Sequence, residues 1–432
     1  MGTLHVVGAG LAGLAAATSA VERGAGVVLW EMARHAGGRC RSFDDAALER
    51  RIDNGNHLLL SGNRAVRTYL RRIGSEDRMV ELPARFPFVD LEGGERWTVR
   101  PNGGPLPWWV LSGDRRPKGA SLAAVLAGFR LLLADRRATV ADVLASDDPA
   151  YRRFWEPLAV GVLNCDPAIG SARLLRPVLL ETFARGAGQC RPWLARTGLG
   201  DALIEPAVDW LRAHGAEVRL GARVETLGFA EGRVTALRVA GAWVALGADD
   251  AVVVATPPWT TAALVPGLAA PDAYTAILNA HFRLPASERV ALPSLLGVVG
   301  GLAQWIFRRD DVAAVTVSAA DAVIDRPPEQ LAERLWGEVQ RALDLELRDL
   351  PPYRIVKEKR ATPLQSPVAA AARWPSRTAW ANLALAGDWT ATGLPATLEG
   401  AVRSGEQAAR LLVSGTMRAV QHNEARSAAS LA

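Results

Sequence analysis

Gly8, Gly10 and Gly13 lie between a short apolar run, Leu4–Val7, and an alanine-rich stretch, and Glu31 closes a second apolar run at Val27–Trp30. These residue types at this spacing suit one task, the holding of a dinucleotide pyrophosphate. Gly8 permits a tight turn off a strand, Gly10 has no side chain to keep the backbone from the phosphates, and Gly13 lets the next helix lie close on the sheet. The helix start at Leu11 and Ala12 turns unpaired N–H groups and a partial positive charge toward the anion. Glu31 stands roughly 20 residues further on, where a carboxylate reaches ribose hydroxyls and repels a 2′-phosphate. NADP is therefore disfavoured. A lone glycine motif also arises as an ordinary turn, but here strand, helix and acid agree.

A second set of residues follows, Met32-Ala-Arg34-His-Ala-Gly37-Gly38-Arg39, in which two more glycines precede an arginine whose guanidinium can fold back onto the same pyrophosphate. Near the other end, an apolar run stops at Gly387-Asp388, which offers a carboxylate beside a ribityl chain or phosphate. A helix starting near Thr397, with Leu398 and Ala401 in its first turns, aims N–H donors at a place where negative charge would be stabilised. With the second clamp the chain resembles the flavoprotein superfamily of amine oxidases, phytoene-type desaturases and squalene-associated enzymes. That resemblance implies FAD, an α/β Rossmann-like FAD-binding domain, and a discontinuous α+β substrate domain. It also implies that Gly55, Asn56 and His57 pass beside the isoalloxazine ring and that Val224 lends its backbone to the adenine. Read without it, the turn around Gly55 is also compatible with an ordinary hairpin entry.

Composition narrows the field. At 432 residues, 49% hydrophobic and 22% charged, the chain has the balance of a globular protein with a sizeable core. The net charge of +5 is carried almost wholly by arginine, since Lys118, Lys357 and Lys359 are the only lysines, and no basic run suggests a nucleic-acid partner. Cys40, Cys165 and Cys190 are odd in number and lack metal-ligand spacing, so a reducing, cytoplasmic setting without a metal is expected. No segment reaches the roughly 18 apolar residues of a membrane span.

The rhythm of the chain divides it. Residues 1–79, 196–258 and 356–415 read as the FAD-binding domain, 80–195 and 259–355 as the substrate domain, and 416–432 as a disordered tail. Ser121–Arg137 reads as one helix, either buried in the substrate domain or lying on anionic lipid between flanking arginines. Pro101, Pro105 and Pro107 precede it. Ile277–Leu284 and Gly300–Phe307 read as strands, and Pro328–Leu347 as an amphipathic helix. Phe154-Trp155 and Val162-Leu163 could wall an apolar cavity.

Seven segments, among them IDNGNHLLL (52–60), NAHFRL (279–284), GLAQWIF (301–307) and AGDWTATGLPATLEGA (386–401), resemble the hydroxysqualene dehydroxylases, the squalene-associated FAD branch of bacterial hopanoid pathways. This implies reductive removal of an allylic hydroxyl: hydroxysqualene and reduced FAD give squalene, water and oxidised FAD. A C30 isoprenoid substrate further implies peripheral contact with the inner face of the membrane. A phytoene-type desaturase and a non-catalytic prenyl-binding protein are the rivals; degraded clamps would mark the latter, and both clamps are intact. Amine oxidases keep a lysine on the strand resembling NAHFRL, whereas here Asn279 or His281 faces that task. The departing oxygen needs an acid, for which His57, His281 and Asp53 are candidates. A histidine's usual pKa leaves a protonated fraction near neutrality, and an apolar cavity would keep a proton on Asp53. Either histidine is also compatible with simply holding backbone groups in place. Oligomeric state stays open.

Overall fold

The computed structural model describes residues 2–104, 106–285, 293–346 and 349–429, with side chains as far as 413. Thr3–Val7 forms β1, Leu11–Glu22 α1 and Gly26–Glu31 β2. Helix α2 (Arg64–Arg72) and strands β3 (Phe86–Asp90) and β4 (Arg96–Val99) follow. After a largely helical stretch come β5 (Glu217–Leu220) and β6 (Ala251–Val254), then β7 (Tyr274–Arg283), β8 (Leu295–Val299), β9 (Trp305–Arg309) and β10 (Val312–Ser318). Helix α3 (Pro328–Leu343), strands β11 (Tyr353–Pro363) and β12 (Leu383–Leu385), and helix α4 (Leu398–Ala429) complete the elements used below.

Five parallel strands in the order β5-β2-β1-β6-β12 make the first sheet. Its central strands are apolar on both faces because both faces are covered, as parallel sheets require. Helix α1 packs there through small residues. Gly13 lies so close to the turn that an added Cβ would fall 1.9 Å from the Gly8 carbonyl oxygen, and one on Gly405 of α4 would fall 2.1 Å from that of Ala12. The two helices therefore cross almost backbone to backbone, and any larger side chain at either glycine would separate them.

The second sheet has seven strands, in the order β11-β7-β10-β9-β8-β3-β4, antiparallel except for the β3–β8 pair. Strand alternation sorts its residues. Leu278, Ala280 and Phe282 of β7 join Val315 and Val317 of β10 in a core packed with α3. Asn279, His281 and Thr316 take the opposite face.

Several sequence expectations change. Ser121–Arg137 is not one helix: Leu122–Leu126 is α-helical and Ala127–Leu133 tightens to a 3₁₀ helix. The Trp155 indole N–H donates to the Ala124 carbonyl at 3.0 Å, the acceptor that Gly128 would otherwise use, and its ring occupies the space beside Gly128. The strand expected from Gly300 starts at Trp305, because Gly300 (φ +76°) turns the chain and Ala303 N–H is held by Glu338 at 2.6 Å. Helix α3 stops at Leu343, capped by Asp344 in the left-handed region (φ +55°). Its expected end, Leu347, lies outside the described residues, as does Pro105. The segment read as a disordered tail from 416 is helical to Ala429, in keeping with its alanine, arginine and glutamate content, and 430–432 lie outside the described residues.

Candidate active site

The turn from β1 to α1 has the shape expected of it. Gly8 is at φ +104°, and an added Cβ would meet the Ala255 carbonyl oxygen at 2.7 Å. Gly10 differs: a Cβ there would find nothing within 4 Å, and no side chain caps the helix it begins. Open space therefore faces the first-turn N–H groups of α1, at Leu11 and Ala12, which suits a pyrophosphate. Residues 37 and 38 close over the same turn. Gly37 N–H donates to the Ala9 carbonyl at 2.8 Å, and Gly38 lies beside the Gly10 Cα. Glu31, at the end of β2, accepts from the N–H groups of Ala9 (2.7 Å) and Ala33 (2.8 Å), which fixes its carboxylate at the sheet's carboxyl edge with lone pairs to spare. Val224 is buried next to it, where Ala222 N–H bonds the Glu31 carbonyl. Met32 and Arg34 are exposed, and among the described residues neither bonds to the others.

Arg39 does something the sequence does not show. Its guanidinium forms a two-armed pair with the buried Asp388, at 2.9 and 2.7 Å, and also donates to the Ala361 carbonyl. The N-terminal clamp and the C-terminal Gly-Asp turn are thus one object. Its guanidinium is not wholly free to wrap a pyrophosphate, as the sequence alone suggests. Ser404 of α4 holds Gly387 N–H at 2.9 Å from behind. Thr397 accepts from Gly400 N–H at 3.2 Å and so caps its own helix, which leaves the N–H groups of Leu398 and Glu399 for a ligand. The Glu399 carboxylate turns away to cap α2, accepting from Ala65 and Val66 N–H, each at 3.0 Å. Ala401 packs on the first core. Arg373, whose burial pulls its pKa below the usual range, bonds the Leu394 carbonyl at 2.7 Å and Gln365 at 2.8 Å, fixing the loop that feeds this helix. The residues present therefore fit FAD.

Asp53 to His57 run between this cleft and the second sheet. Asp53 does not lie in an apolar pocket: Ser42 Oγ, Leu199 N–H (2.9 Å) and Arg309 (2.7 Å) all donate to its carboxylate. It joins the two halves of the site, its oxygens taken up by donors from both. His281 is buried and His57 half-buried, and burial pushes each pKa down to about 4, against the weaker opposing charge of Asp53. The protonated fraction expected of an ordinary histidine is therefore missing; at neutral pH roughly one imidazole in 10³ is charged. As neutral rings both still offer a donor and an acceptor. His281 Nε2 is buried without a partner among the described residues.

Asn279, two residues before His281 on the same face, gathers Asn56 and Thr316. Its Oδ1 accepts from Thr316 Oγ1 at 2.9 Å, Asn56 Nδ2 at 3.2 Å and Asn56 N–H at 3.4 Å. Beyond Thr316 the sheet becomes aromatic, with Trp305 and then Phe88, whose ring lies 5.4 Å from that of Trp305 and 5.5 Å from that of Trp97. Neither Thr316 nor Arg309 carries a sequence signal for its role. Asn279 had one, its even spacing from His281.

The family described as flavin containing amine oxidoreductase matches residues 11–413. The chain belongs to this family. Members similar to it over nearly its whole length include the hydroxysqualene dehydroxylases of Rhodopseudomonas palustris (44% identical, covering 95% of this chain and 98% of that one) and Zymomonas mobilis (41%, covering 96% and 100%). A probable zeta-carotene desaturase of Synechococcus elongatus is 25% identical over 54% of each chain. Among solved structures, the cyclohexylamine oxidase of Brevibacterium oxydans aligns with a TM-score of 0.68 at 16% identity, covering 96% of this chain and 99% of that one, and a putrescine oxidase does so with 0.66 at 17%. As a flavin-containing amine oxidoreductase by family, the protein is an FAD-dependent oxidoreductase with the amine oxidase fold. On β7 it carries asparagine and histidine and no lysine.

Proposed function

We propose that this flavoprotein removes the hydroxyl of hydroxysqualene reductively, giving squalene and water. The observation that carries the reading is the similarity to hydroxysqualene dehydroxylases at 41–44% identity over about 95% of the chain, against partial similarity to a desaturase. Reduced FAD, when bound, would supply both hydrogens in the overall balance, the hydride that replaces the C–O bond with C–H and the proton with which the oxygen leaves as water. The chain's own residues do the rest. Leu58, Leu158, Val162, Trp305, Phe307 and Leu364 are apolar yet only partly buried against the core that contains Phe88, Phe154, Trp155 and Leu163, and they offer a water-poor wall to an isoprenoid chain. Aromatic faces stabilise a desolvated cation by about 2 kcal/mol, and Trp305 lies next to the polar cluster where an allylic cation would form. Neutral His57 and His281 keep a net positive charge away from that centre.

Anaerobic mixing of the reduced holoenzyme with hydroxysqualene tests the reading. We expect one equivalent of FAD to be reoxidised with one of squalene formed. Absence of reoxidation would overturn it, and absence of reoxidation together with reduction of oxidised FAD by a more saturated isoprenoid would replace it with the desaturase reading.

We also propose that the protein collects its substrate at the inner face of the membrane without spanning it. No described helix is long and apolar enough to cross a bilayer. Leu106, Trp108, Leu111, Phe129 and Leu133 are half or more exposed, although the turn Trp108–Leu111 packs beside Leu122–Leu126. Exposed Arg115, Arg130, Arg136 and Arg137 accompany them, a pairing of apolar and basic groups that suits anionic lipid. This favours the surface alternative for 121–137, by way of its exposed residues and not a single amphipathic helix.

A further inference from the structure

A single register line crosses the second sheet. Trp97 of β4 pairs with Phe88 of β3, Phe88 with Gly297 of β8, Gly297 with Trp305 of β9, Trp305 with Thr316 of β10, and Thr316 with Asn279 of β7. Because directly opposed residues share a face, these side chains form one continuous track. Gly297 is what lets it be continuous: a Cβ there would fall 2.3 Å from the Phe88 ring, so the ring lies over the glycine and reaches toward Trp305. The track is aromatic at one end and polar at the other.

The polar end has a donor left over. Three donors converge on Asn279 Oδ1, which sets the orientation of the amide and turns Nδ2 the other way. Among the described residues Nδ2 has only the Asn54 carbonyl, at 3.5 Å, to receive two N–H bonds. A buried amide that cannot place a donor is costly, so such a group marks a place where a ligand atom belongs. The space it faces lies over Gly55. A Cβ built on Gly55 would have His57 Nε2 at 3.5 Å and Asn279 Nδ2 at 3.6 Å as its nearest neighbours. No described residue hydrogen-bonds the His57 ring, so an unbonded imidazole nitrogen and an amide nitrogen with one N–H to spare face the same void over Gly55.

We infer that this void, between Asn279 Nδ2 and His57 Nε2, holds the hydroxyl of the isoprenoid alcohol, with the adjoining chain laid on Trp305. This rests on the reading of the protein as acting on such an alcohol. An alcohol oxygen accepts from Asn279 and donates to, or accepts from, the imidazole, so one group serves both nitrogens at once. An ammonium group is the poorer guest, since the amide presents it a donor where a cation needs an acceptor. The pocket thus separates an alcohol substrate from the amines that the fold accommodates elsewhere. Asn56 and Thr316, which touch Asn279 only through Oδ1, are positioning residues: they orient the amide.

The experiment measures binding of hydroxysqualene and of squalene to the holoenzyme with FAD oxidised, so that no turnover occurs, by equilibrium dialysis from detergent micelles, with bound FAD read by its absorbance. Wild type should bind the alcohol about tenfold more tightly than the hydrocarbon, the effect of well-made hydrogen bonds in a water-poor site. Asn279→Leu and Gly55→Ala should each bring that ratio to about one while squalene affinity stays within about twofold. Gly55→Ala needs no rearrangement, since its methyl would sit in ordinary contact at 3.5 and 3.6 Å, and it decides the matter if Asn279→Leu does not fold. A ratio still near the wild-type value in a folded variant overturns the assignment. So does loss of FAD from Gly55→Ala, which would give the space to the cofactor. A wild type that turns hydroxysqualene over but binds both ligands equally overturns the pocket and leaves the proposed reaction standing; a wild type that neither binds nor turns over the alcohol removes both.

Discussion

Replacing His281 by asparagine should make the protein less sensitive to acid. His281 is 2% exposed, and burial lowers its pKa from 6.5 to about 4. A folded-state value below the unfolded one means that the unfolded chain binds the proton more readily. The stability associated with the neutral ring is therefore fully present above about pH 6.5 and is lost as the pH falls toward 4. Taking these two values, moving from pH 7.5 to pH 5 costs about 2 kcal/mol through this residue alone. Other groups also titrate in that interval, but they do so in the variant as well and cancel in the difference. Urea unfolding of wild type and His281→Asn, followed by tryptophan fluorescence at both pH values, gives the comparison. The variant should lose about 2 kcal/mol less than wild type between pH 7.5 and 5, whatever its stability at the higher value. Equal losses would show that the ring is solvated or already paired, and the case against a standing imidazolium in the site would fall with it.

Gly10→Val should abolish FAD retention on gel filtration while shifting the urea midpoint little, because the added side chain meets no protein atom within 4 Å of its Cβ and the backbone there is extended; FAD retained at wild-type level would contradict the pyrophosphate reading. Trp108→Glu combined with Leu133→Glu should reduce co-sedimentation with anionic liposomes at low salt by tenfold or more, given roughly 25 cal/mol per Å² of apolar surface withdrawn from the bilayer. Unchanged sedimentation would remove this face as the contact.

The sequence by itself determined whatever depends on neighbours in the chain. A strand, a glycine turn and a helix start within a few residues of one another must present N–H groups to an anion, and the acid at the end of the next strand must lie at the sheet's carboxyl edge. Gly8 to Glu31 was therefore legible, and so was the alternation that puts Asn279 and His281 on one face of β7. The resemblance supplied the cofactor and the reaction class. Only the tertiary structure decided which distant residues meet and how much water they lose. Arg39 and Asp388 lie 349 positions apart and pair because α4 crosses α1 at Gly405 and carries Ser404 behind the Gly-Asp turn. Asn279 meets Asn56 across 223 positions, and the donor left over from that meeting cannot be inferred from either residue alone. The histidines' protonation also belongs to this level, since an imidazole's pKa follows from its burial, and burial is a property of the packed molecule. The same holds for Ser121–Arg137, whose local pattern favours one helix. An indole from Trp155 takes the carbonyl that the helix needed, and a contact made by packing outweighs propensities of a few tenths of a kcal/mol per residue.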